Sequence, residues 1–309
     1  MNKSRALALS FAILVSLIGI NIRAQQLADT SFNPPIEKPA YPKDGGPLVA
    51  IDEAHFNFHT ADGRYLAFAN LLRRDGYIVK GSSARFSRDA LGEVKILVIA
   101  NALAERNRED WSLPTPSAFS DKEMAAVRDW VKAGGSLFLI ADHMPCAGAA
   151  EKLGAAFGFK FSNGYAMNEK ARGGPMIFRK SDGTLRDHPI TRGRIAAEKI
   201  EAVATFTGSA FQADKGVQPI LVFGPDVTSF LTKVAGEFPP DTPRVPVSGW
   251  LQGAVLKFGK GRVAVFGEAA MFSAQLAGPN RRPMGMNAPV AAENPKFLLN
   301  IMHWLSGLL

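Results

Sequence analysis

The sequence predicts an α/β protein built on a doubly wound, mostly parallel sheet that is flanked by helices. Three continuous apolar runs carry this prediction, at residues 95–100 (KILVIA), 136–141 (SLFLIA) and 261–266 (GRVAVF). Strands that are buried on both faces of a parallel sheet have such runs rather than an alternating pattern. Helical patterns that end in glycine separate the first runs, and this alternation is typical of repeated strand–helix units.

The N-terminal residues predict an exported protein. Lys3 and Arg5 precede the apolar run 6–20, and Ala24 offers a small residue at a cleavage point, as in a secretory signal peptide. We therefore divide the chain into a signal peptide (1–24), an extended N-terminal arm (25–47) and a single α/β domain (48–309). Export leads to the periplasm or the medium, and an uncleaved N-terminal anchor is the alternative.

Composition narrows the class of partner. The 309-residue chain has a formal charge of +8, which falls by three to +5 once Lys3, Arg5 and Arg23 are removed with the signal peptide. No basic tract is interleaved with aromatic residues, so we expect no nucleic-acid partner. No second long apolar run follows, so we expect no membrane association beyond the export signal. The partner that we expect is a small-molecule or carbohydrate-like ligand.

The first half of the domain alternates strands and helices. Predicted strands occupy residues 48–51, 77–80, 95–100 and 136–141, and predicted helices occupy 61–74, 120–133 and 146–157. Thr60 is the expected N-cap of the first helix. Ser120 and Glu123 form a capping box at the start of the second, in which each side chain bonds the backbone N–H of the other.

The second half is less regular and predicts an insertion in the sheet. Residues 161–214 hold short β-like pieces, and predicted strands at 220–223 and 255–258 enclose a proline-rich excursion at 238–246. The strand at 261–266 and a closing amphipathic helix at 295–305 then complete the domain.

Polar residues follow the predicted strands, and they are the main functional clue. The sequence has Asp52-Glu53 after the first strand, Asn101 after the third, Asp142-His143 after the fourth and Gly267-Glu268 after the last. His55 and His59 lie in the loop after Asp52-Glu53, so three of the five histidines occur in such loops. Ligands of open parallel sheets bind outside the carboxyl ends of the strands.

Two chemical roles suit these residues. The first is a divalent metal site such as zinc, with His55, His59 and either Asp142 or His143 as ligands and Glu53 or Glu268 as general base. The second is metal-free acid–base catalysis, in which His143 pairs with Asp142 or Glu268. The alternative to both is a hydrogen-bonded network that only ties the loops together.

The remaining reactive residues are weaker candidates. Cys146 is the only cysteine, so it forms no intrachain disulfide, and its place near a helix start would favour a thiolate. Its neighbours do not form the Gly-x-nucleophile-x-Gly elbow. We interpret His188 as a turn residue and His303 as a packed histidine of the last helix.

Several segments resemble a known family. The opening around Asp52-Glu53-Ala54-His55 and residues 119–143, 188–193, 261–275 and 294–307 resemble exported bacterial proteins of the DUF4350 kind, which are similar to the class I glutamine amidotransferase-like (flavodoxin-like) superfamily. The resemblance implies that fold. It implies little about activity, because the superfamily includes amidotransferases, proteases, ThuA-like proteins and non-catalytic domains. The missing elbow glycines argue against glutaminase activity.

Two functional hypotheses follow. The first is a metal-assisted hydrolase acting on a small polar or carbohydrate-like substrate, with Glu53, Asp142, His143 and Glu268 as catalytic candidates. The second is a non-catalytic ligand-binding or accessory protein that uses the same strand ends. A metal-free site lined with aromatic residues such as Phe56, Phe58 and Trp111 favours the second hypothesis.

Overall fold

A computed structural model describes residues 26–170 and 174–309. The predicted signal peptide, residues 1–24, lies outside this part of the chain. No helix of the described part has the length and apolar character needed to cross a membrane.

The structure combines short helices with many strands. The α-helices are α1 (Leu66–Arg74), α2 (Asp121–Ala133), α3 (Cys146–Ala155), α4 (Pro189–Arg192) and α5 (Asn294–Ser306). The strands are β1 (Gln26–Ala28), β2 (Leu48–Asp52), β3 (Ile78–Ser82), β4 (Ile96–Ala100), β5 (Ser136–Ile140), β6 (Phe159–Phe161), β7 (Tyr165–Asn168), β8 (Met176–Arg179), β9 (Ala202–Thr205), β10 (Phe211–Ala213), β11 (Gln218–Val222), β12 (Val227–Phe230), β13 (Arg244–Pro246), β14 (Leu251–Phe258), β15 (Gly261–Phe266), β16 (Ala274–Ala277) and β17 (Arg282–Gly285). Short 3₁₀ turns lie at Glu105–Asn107, Ala196–Glu198, Ala270–Phe272 and Pro289–Ala291.

A large central sheet organises the described residues. Its strand order is β3-β2-β4-β5-β15-β14-β10-β6, and β11 pairs with β14 outside this path. The pairs from β3 to β15 are parallel, whereas β14 runs antiparallel to β15, β10 and β11. The prediction of a mixed α/β fold with a large, mostly parallel central sheet is therefore confirmed.

Alternate residues of the parallel strands enter two separate cores. Ile96 and Val98 of β4 belong to a cluster shared with α1 and α5. Leu97 and Ile99 belong to a second cluster shared with α2 and α3. Successive side chains of a strand point to opposite faces, so the continuous apolar runs are explained by burial on both sides.

The first helix begins later than the sequence predicts. Helix α1 starts at Leu66, not at residue 61, and Thr60 does not cap it. The Ala61 amide instead donates to Glu53 Oε1 at 2.8 Å, and residues 61–65 form turns. The loop after β2 therefore extends further and supplies more of the strand-end residues than the helical pattern suggests. In contrast, α2 has the predicted Ser120–Glu123 capping box.

The N-terminal arm lies against the domain. Its strand β1 pairs antiparallel with β16, and Phe32, Ile36 and Tyr41 pack against the larger core. The Ala40 amide donates to the buried Asp75 carboxylate at 2.8 Å. The sequence predicts an extended segment here, and in the structure these contacts fix the path of the arm.

Candidate functional site

Four neighbouring strands deliver the predicted polar residues to one edge of the sheet. Asp52 ends β2, Asn101 follows β4, Asp142 follows β5 and Glu268 follows β15, and these strands are adjacent in that order. All four side chains are buried or nearly so. The contacts made by the loop after each strand determine which of these four side chains can still contact a ligand.

His55 is locked into a buried network. Its Nδ1 lies 2.9 Å from the Asp52 carboxylate and its Nε2 lies 2.9 Å from Glu123 Oε1. The ring lies between Phe86 and Phe119, with centroids 4.6 and 4.8 Å away. Burial alone would lower the pKa of His55, but the hydrogen bonds and charges of Asp52 and Glu123 outweigh it and raise this pKa. His55 joins the β2 loop to α2, and the two carboxylates favour its protonated form.

Glu123 is the residue of this network that sequence reasoning missed. Burial opposes its charge, but bonds from the Ser120 amide and hydroxyl and from His55 lower the pKa of Glu123 to about 2. The capping-box motif identifies the bonds to Ser120 alone. The bond to His55 joins residues 68 positions apart, and no local pattern could have revealed it.

Glu53 also stabilises the loop after β2. Its Oε1 accepts the Ala61 amide. A Cβ at position 81 would lie 2.5 Å from that oxygen, so Gly81 leaves the space that the Glu53 carboxyl fills. The predicted general-base role of Glu53 therefore competes with a structural one that the contacts explain directly.

Asn101 links three loops at the strand ends. It adopts φ +51°, a left-handed conformation that asparagine tolerates better than most residues. Its Oδ1 accepts the Asp142 amide at 2.9 Å and its Nδ2 lies 3.3 Å from His59 Nδ1. Burial, reinforced by the charge of Arg64, lowers the pKa of His59 to about 3, so this ring is neutral.

Asp142 and Glu268 are the two interacting carboxyl groups of the edge. Glu268 is fully buried, and its oxygens accept the Ala270 and Met271 amides at 2.9 and 2.7 Å. Burial and then the charge of Asp142 raise the pKa of Glu268 well above its usual range. Both causes favour the neutral form of Glu268, because two like charges in one buried region repel each other.

His143 is the histidine of the edge that remains open to solvent. Its side chain is 21% exposed, and its Nδ1–H donates to the Met144 carbonyl at 2.8 Å. In the neutral ring, this bond leaves a lone pair on Nε2, which lies 3.9 Å from Asp142 Oδ1. His143 is therefore the available base of the edge.

A row of aromatic rings runs past His143. Phe58 lies 5.2 Å from Trp111, Trp111 lies 6.5 Å from His143, and Tyr165 lies 5.1 Å from Phe238, as distances between ring centroids. The His143 and Tyr165 rings stack at 4.0 Å. We call these five side chains the aromatic row: Phe58, Trp111, His143, Tyr165 and Phe238. The aromatic row together with Asp142 and Glu268 is called the strand-end site. Tyr165 and Phe238 come from the irregular second half, where the sequence offered no signal.

The three histidines predicted as metal ligands do not converge. Among the residues that the structure describes, no group of three or more His, Cys, Asp or Glu side chains is arranged to hold a metal ion. Both ring nitrogens of His55 already bond carboxylates, and His59 Nδ1 bonds Asn101. A zinc site needs about three ligands with free lone pairs aimed at one point. The donor set at His55, His59 and His143 therefore does not fit the predicted zinc.

The other reactive residues considered in the sequence, Cys146, His188 and His303, are packed or hydrogen-bonded within the fold. Cys146 is buried, and burial followed by the charge of Asp142 raises the pKa of its thiol well above the usual value. Such a thiol is a poor nucleophile. His188 caps the short helix α4, as expected of a turn residue. His303 is packed on α5, with Nε2 2.7 Å from Asp75 Oδ2.

Comparison with known proteins supports the fold alone. No protein-family model matches the chain, and no curated protein matches it. The mmIFT52 N-terminal domain is similar in structure, with 14% identity, a TM-score of 0.57 and coverage of 84% of this chain and 97% of that domain. A putative ThuA-like protein from Bacteroides uniformis has 12% identity, a TM-score of 0.47 and coverage of 89% and 94%. A cytoplasmic protein from Salmonella typhimurium has 12% identity, a TM-score of 0.48 and coverage of 84% and 98%.

Proposed function

We propose that the strand-end site binds a small polar, carbohydrate-like ligand. The observation that carries the proposal is the aromatic row beside Asp142, with the partly exposed His143 in the middle of the row. Aromatic faces cover the apolar C–H face of a sugar ring, while a carboxylate and an imidazole accept its hydroxyl protons. Binding pockets commonly combine such apolar walls with a few polar groups.

The fold is proposed to be the doubly wound, helix-flanked form of the class I glutamine amidotransferase-like superfamily, in a DUF4350-like protein. The two core clusters support this assignment, because α1 and α5 pack on one face of the parallel strands and α2 and α3 pack on the other. The raised pKa of the Cys146 thiol supports the further expectation that glutaminase activity is absent.

Export is proposed from residues 1–24 alone. Expression of the full chain in a bacterium, followed by fractionation and N-terminal sequencing, tests it. We expect a periplasmic or secreted protein that begins at Gln25. A cytoplasmic product that retains Met1 contradicts the proposal, and a membrane-bound product with an intact N-terminus indicates an anchor instead.

Calorimetric titration with methyl glycosides of glucose, galactose and N-acetylglucosamine tests ligand binding. Asp142→Asn keeps the size of the side chain and removes its charge, and we expect it to weaken binding about tenfold, since hydrogen bonds to charged groups contribute about 1.5–3 kcal/mol. Asp129→Asn, on the exposed face of α2, is the matched control. Equal affinities of the wild type and Asp142→Asn would remove the strand-end site from the recognition of these sugars.

A second candidate function is metal-independent hydrolysis of the same ligand class. The Nε2 lone pair of His143 lies 3.9 Å from Asp142 Oδ1 on a side chain that is 21% exposed, and it favours this candidate because a general base needs an available nitrogen. The carboxyl groups of Glu53, Asp142 and Glu268 all accept backbone amides, so the reaction would depend first on His143.

Assays with p-nitrophenyl glycosides in the presence of a chelator separate this candidate from binding alone. Loss of a general base lowers the rate about 10²–10⁴-fold, and we expect that loss for His143→Ala if hydrolysis occurs. No release of p-nitrophenol by the wild type, together with saturable glycoside binding, identifies a binding protein.

A further inference from the structure

A separate cavity of about 450 Å³ opens in the antiparallel half of the molecule. Its walls include Phe161 at the end of β6, the following Ser162 and Asn163, Gln212 of β10, and Leu231 and Trp250 from loops of the second half. This volume falls within the range of about 300–1,000 Å³ that is common for small-molecule pockets. None of the residues of the strand-end site lines it.

One segment separates the cavity from the strand-end site. Trp111 belongs to the aromatic row, whereas Leu113, two residues later, lines the cavity. Backbone bonds fix this segment, from the Leu113 amide to the Lys233 carbonyl and from the Ala235 amide to the Trp111 carbonyl. The two places are therefore distinct, although one stretch of chain borders both.

The walls combine an aromatic surface with uncharged polar groups. Trp250 is half-buried and packs against the main core. Asn163 is held rigidly, because its Oδ1 accepts the Gly148 amide and its Nδ2 donates to Thr115 Oγ1. The Ser162 hydroxyl pairs with Ser229 at 2.8 Å and retains further hydrogen-bonding capacity. Gln212 is exposed and adds an amide that both donates and accepts.

The cavity carries almost no charge. Lys160 is the one charged residue among those that line it, and its Nζ lies 3.6 Å from Asp214 Oδ1. Anionic and cationic ligands therefore find no unbalanced partner there. An aromatic wall with amides and a hydroxyl instead suits a ligand that has one apolar face and several hydroxyl groups.

We propose that this cavity binds a neutral sugar unit, independently of the strand-end site. Trp250 supplies the surface for the C–H face of the ring, and Gln212, Asn163 and Ser162 meet the hydroxyls.

Saturation-transfer NMR and calorimetric titration with methyl β-glucoside, methyl β-galactoside and glucuronate test the proposal on the mature chain. We expect saturable binding of a neutral glycoside and at least tenfold weaker binding of the anionic glucuronate. In the Asp142→Asn background, which weakens the strand-end site, Trp250→Ala is expected to weaken the remaining glycoside binding about tenfold, and Gln212→Ala about threefold, since single hot-spot residues carry effects of this size.

Matched variants keep the test independent of folding and of the strand-end site. Trp130→Ala removes another half-buried tryptophan, on α2, and is expected to leave the affinity unchanged. Asp142→Asn is also expected to leave binding at the cavity unchanged. The proposal is overturned if no probe binds saturably, if Trp250→Ala in the Asp142→Asn background binds like Asp142→Asn alone, or if Trp130→Ala weakens binding equally. Binding lost in Asp142→Asn but kept in Trp250→Ala would overturn the cavity proposal while supporting the strand-end site.

Discussion

His55 and His143 follow similar sequence patterns but lie in opposite environments. Each comes shortly after an acid at the carboxyl end of a parallel strand, Asp52 at the end of β2 or Asp142 just after β5. His55 has bonds on both ring nitrogens and no side-chain exposure, whereas His143 has one bonded nitrogen and 21% side-chain exposure. The difference comes from what covers each loop. Phe86 and Phe119 enclose His55, while the His143 ring stacks on Tyr165 and its side chain stays partly exposed.

The comparison divides one edge of the sheet into a closed network and a partly exposed pair. The Asp52–His55–Glu123 network closes the edge beside β2, and the Asp142–His143 pair remains available beside β5. If this distinction is correct, substitutions in the first group affect stability, and substitutions in the second affect ligand binding.

The largest expected effect on stability is that of Asp52→Ala. The Asp52 carboxylate accepts bonds from His55, Asn57 and the Ala54 amide. Removing one partner of a buried ion pair costs about 3–5 kcal/mol, and we expect a decrease of about 3 kcal/mol in the free energy of unfolding because Glu123 still pairs with His55. Urea denaturation measures it, with Asp129→Ala as the exposed control. A loss below about 1 kcal/mol would contradict the structural role.

The pH dependence of stability should separate His55 from His59. The pKa of His55 is raised by folding, so its contribution is complete below about pH 6.5 and is lost as pH rises through the folded-state value. The pKa of His59 is lowered to about 3, so its contribution is present above about pH 6.5 and is lost as pH falls towards 3. One titrating group changes the unfolding free energy by at most about 1.4 kcal/mol per pH unit.

Unfolding curves between pH 4 and 9 for His55→Gln and His59→Gln measure these slopes against the wild type. The destabilisation caused by His55→Gln should shrink as pH rises above 6.5, because the wild type then loses the charged pair. His59→Gln should instead flatten the loss of stability between pH 6 and 4. Parallel profiles for the two variants would show that the two histidines do not differ as described.

Much of the parallel half of the sheet could be predicted from the sequence. Continuous apolar runs identify β4, β5 and β15 because both faces of these strands are buried. The antiparallel half could not be predicted in the same way. Strands such as β6 and β10 have three residues each, and their pairing depends on distant partners rather than on a local period.

The strand-end site could be predicted from the sequence only in part, for a related reason. Residue types after strand ends predict Asp52, Asp142, His143 and Glu268 at one edge, and the strand order places them there. Their division into closed and open groups depends on side chains that arrive from far along the chain. Glu123 reaches His55 from α2, and Tyr165 reaches His143 from β7. No spacing rule within the β2 loop contains that information.

The smallest expected effect on stability, and the sharpest test of the comparison, is that of His143→Ala. The variant loses the stacking on Tyr165 and the bond to the Met144 carbonyl. A partly exposed side chain with these contacts contributes about 1 kcal/mol, so the free energy of unfolding should fall by about that amount, roughly a third of the effect of Asp52→Ala. Glycoside affinity should nevertheless decrease, whereas Asp52→Ala should retain it at a temperature where the variant is folded. The opposite result would be that His143→Ala is the less stable variant and that only Asp52→Ala loses glycoside affinity. It would mean that the Asp52–His55–Glu123 network binds the ligand and that the Asp142–His143 pair only supports the fold.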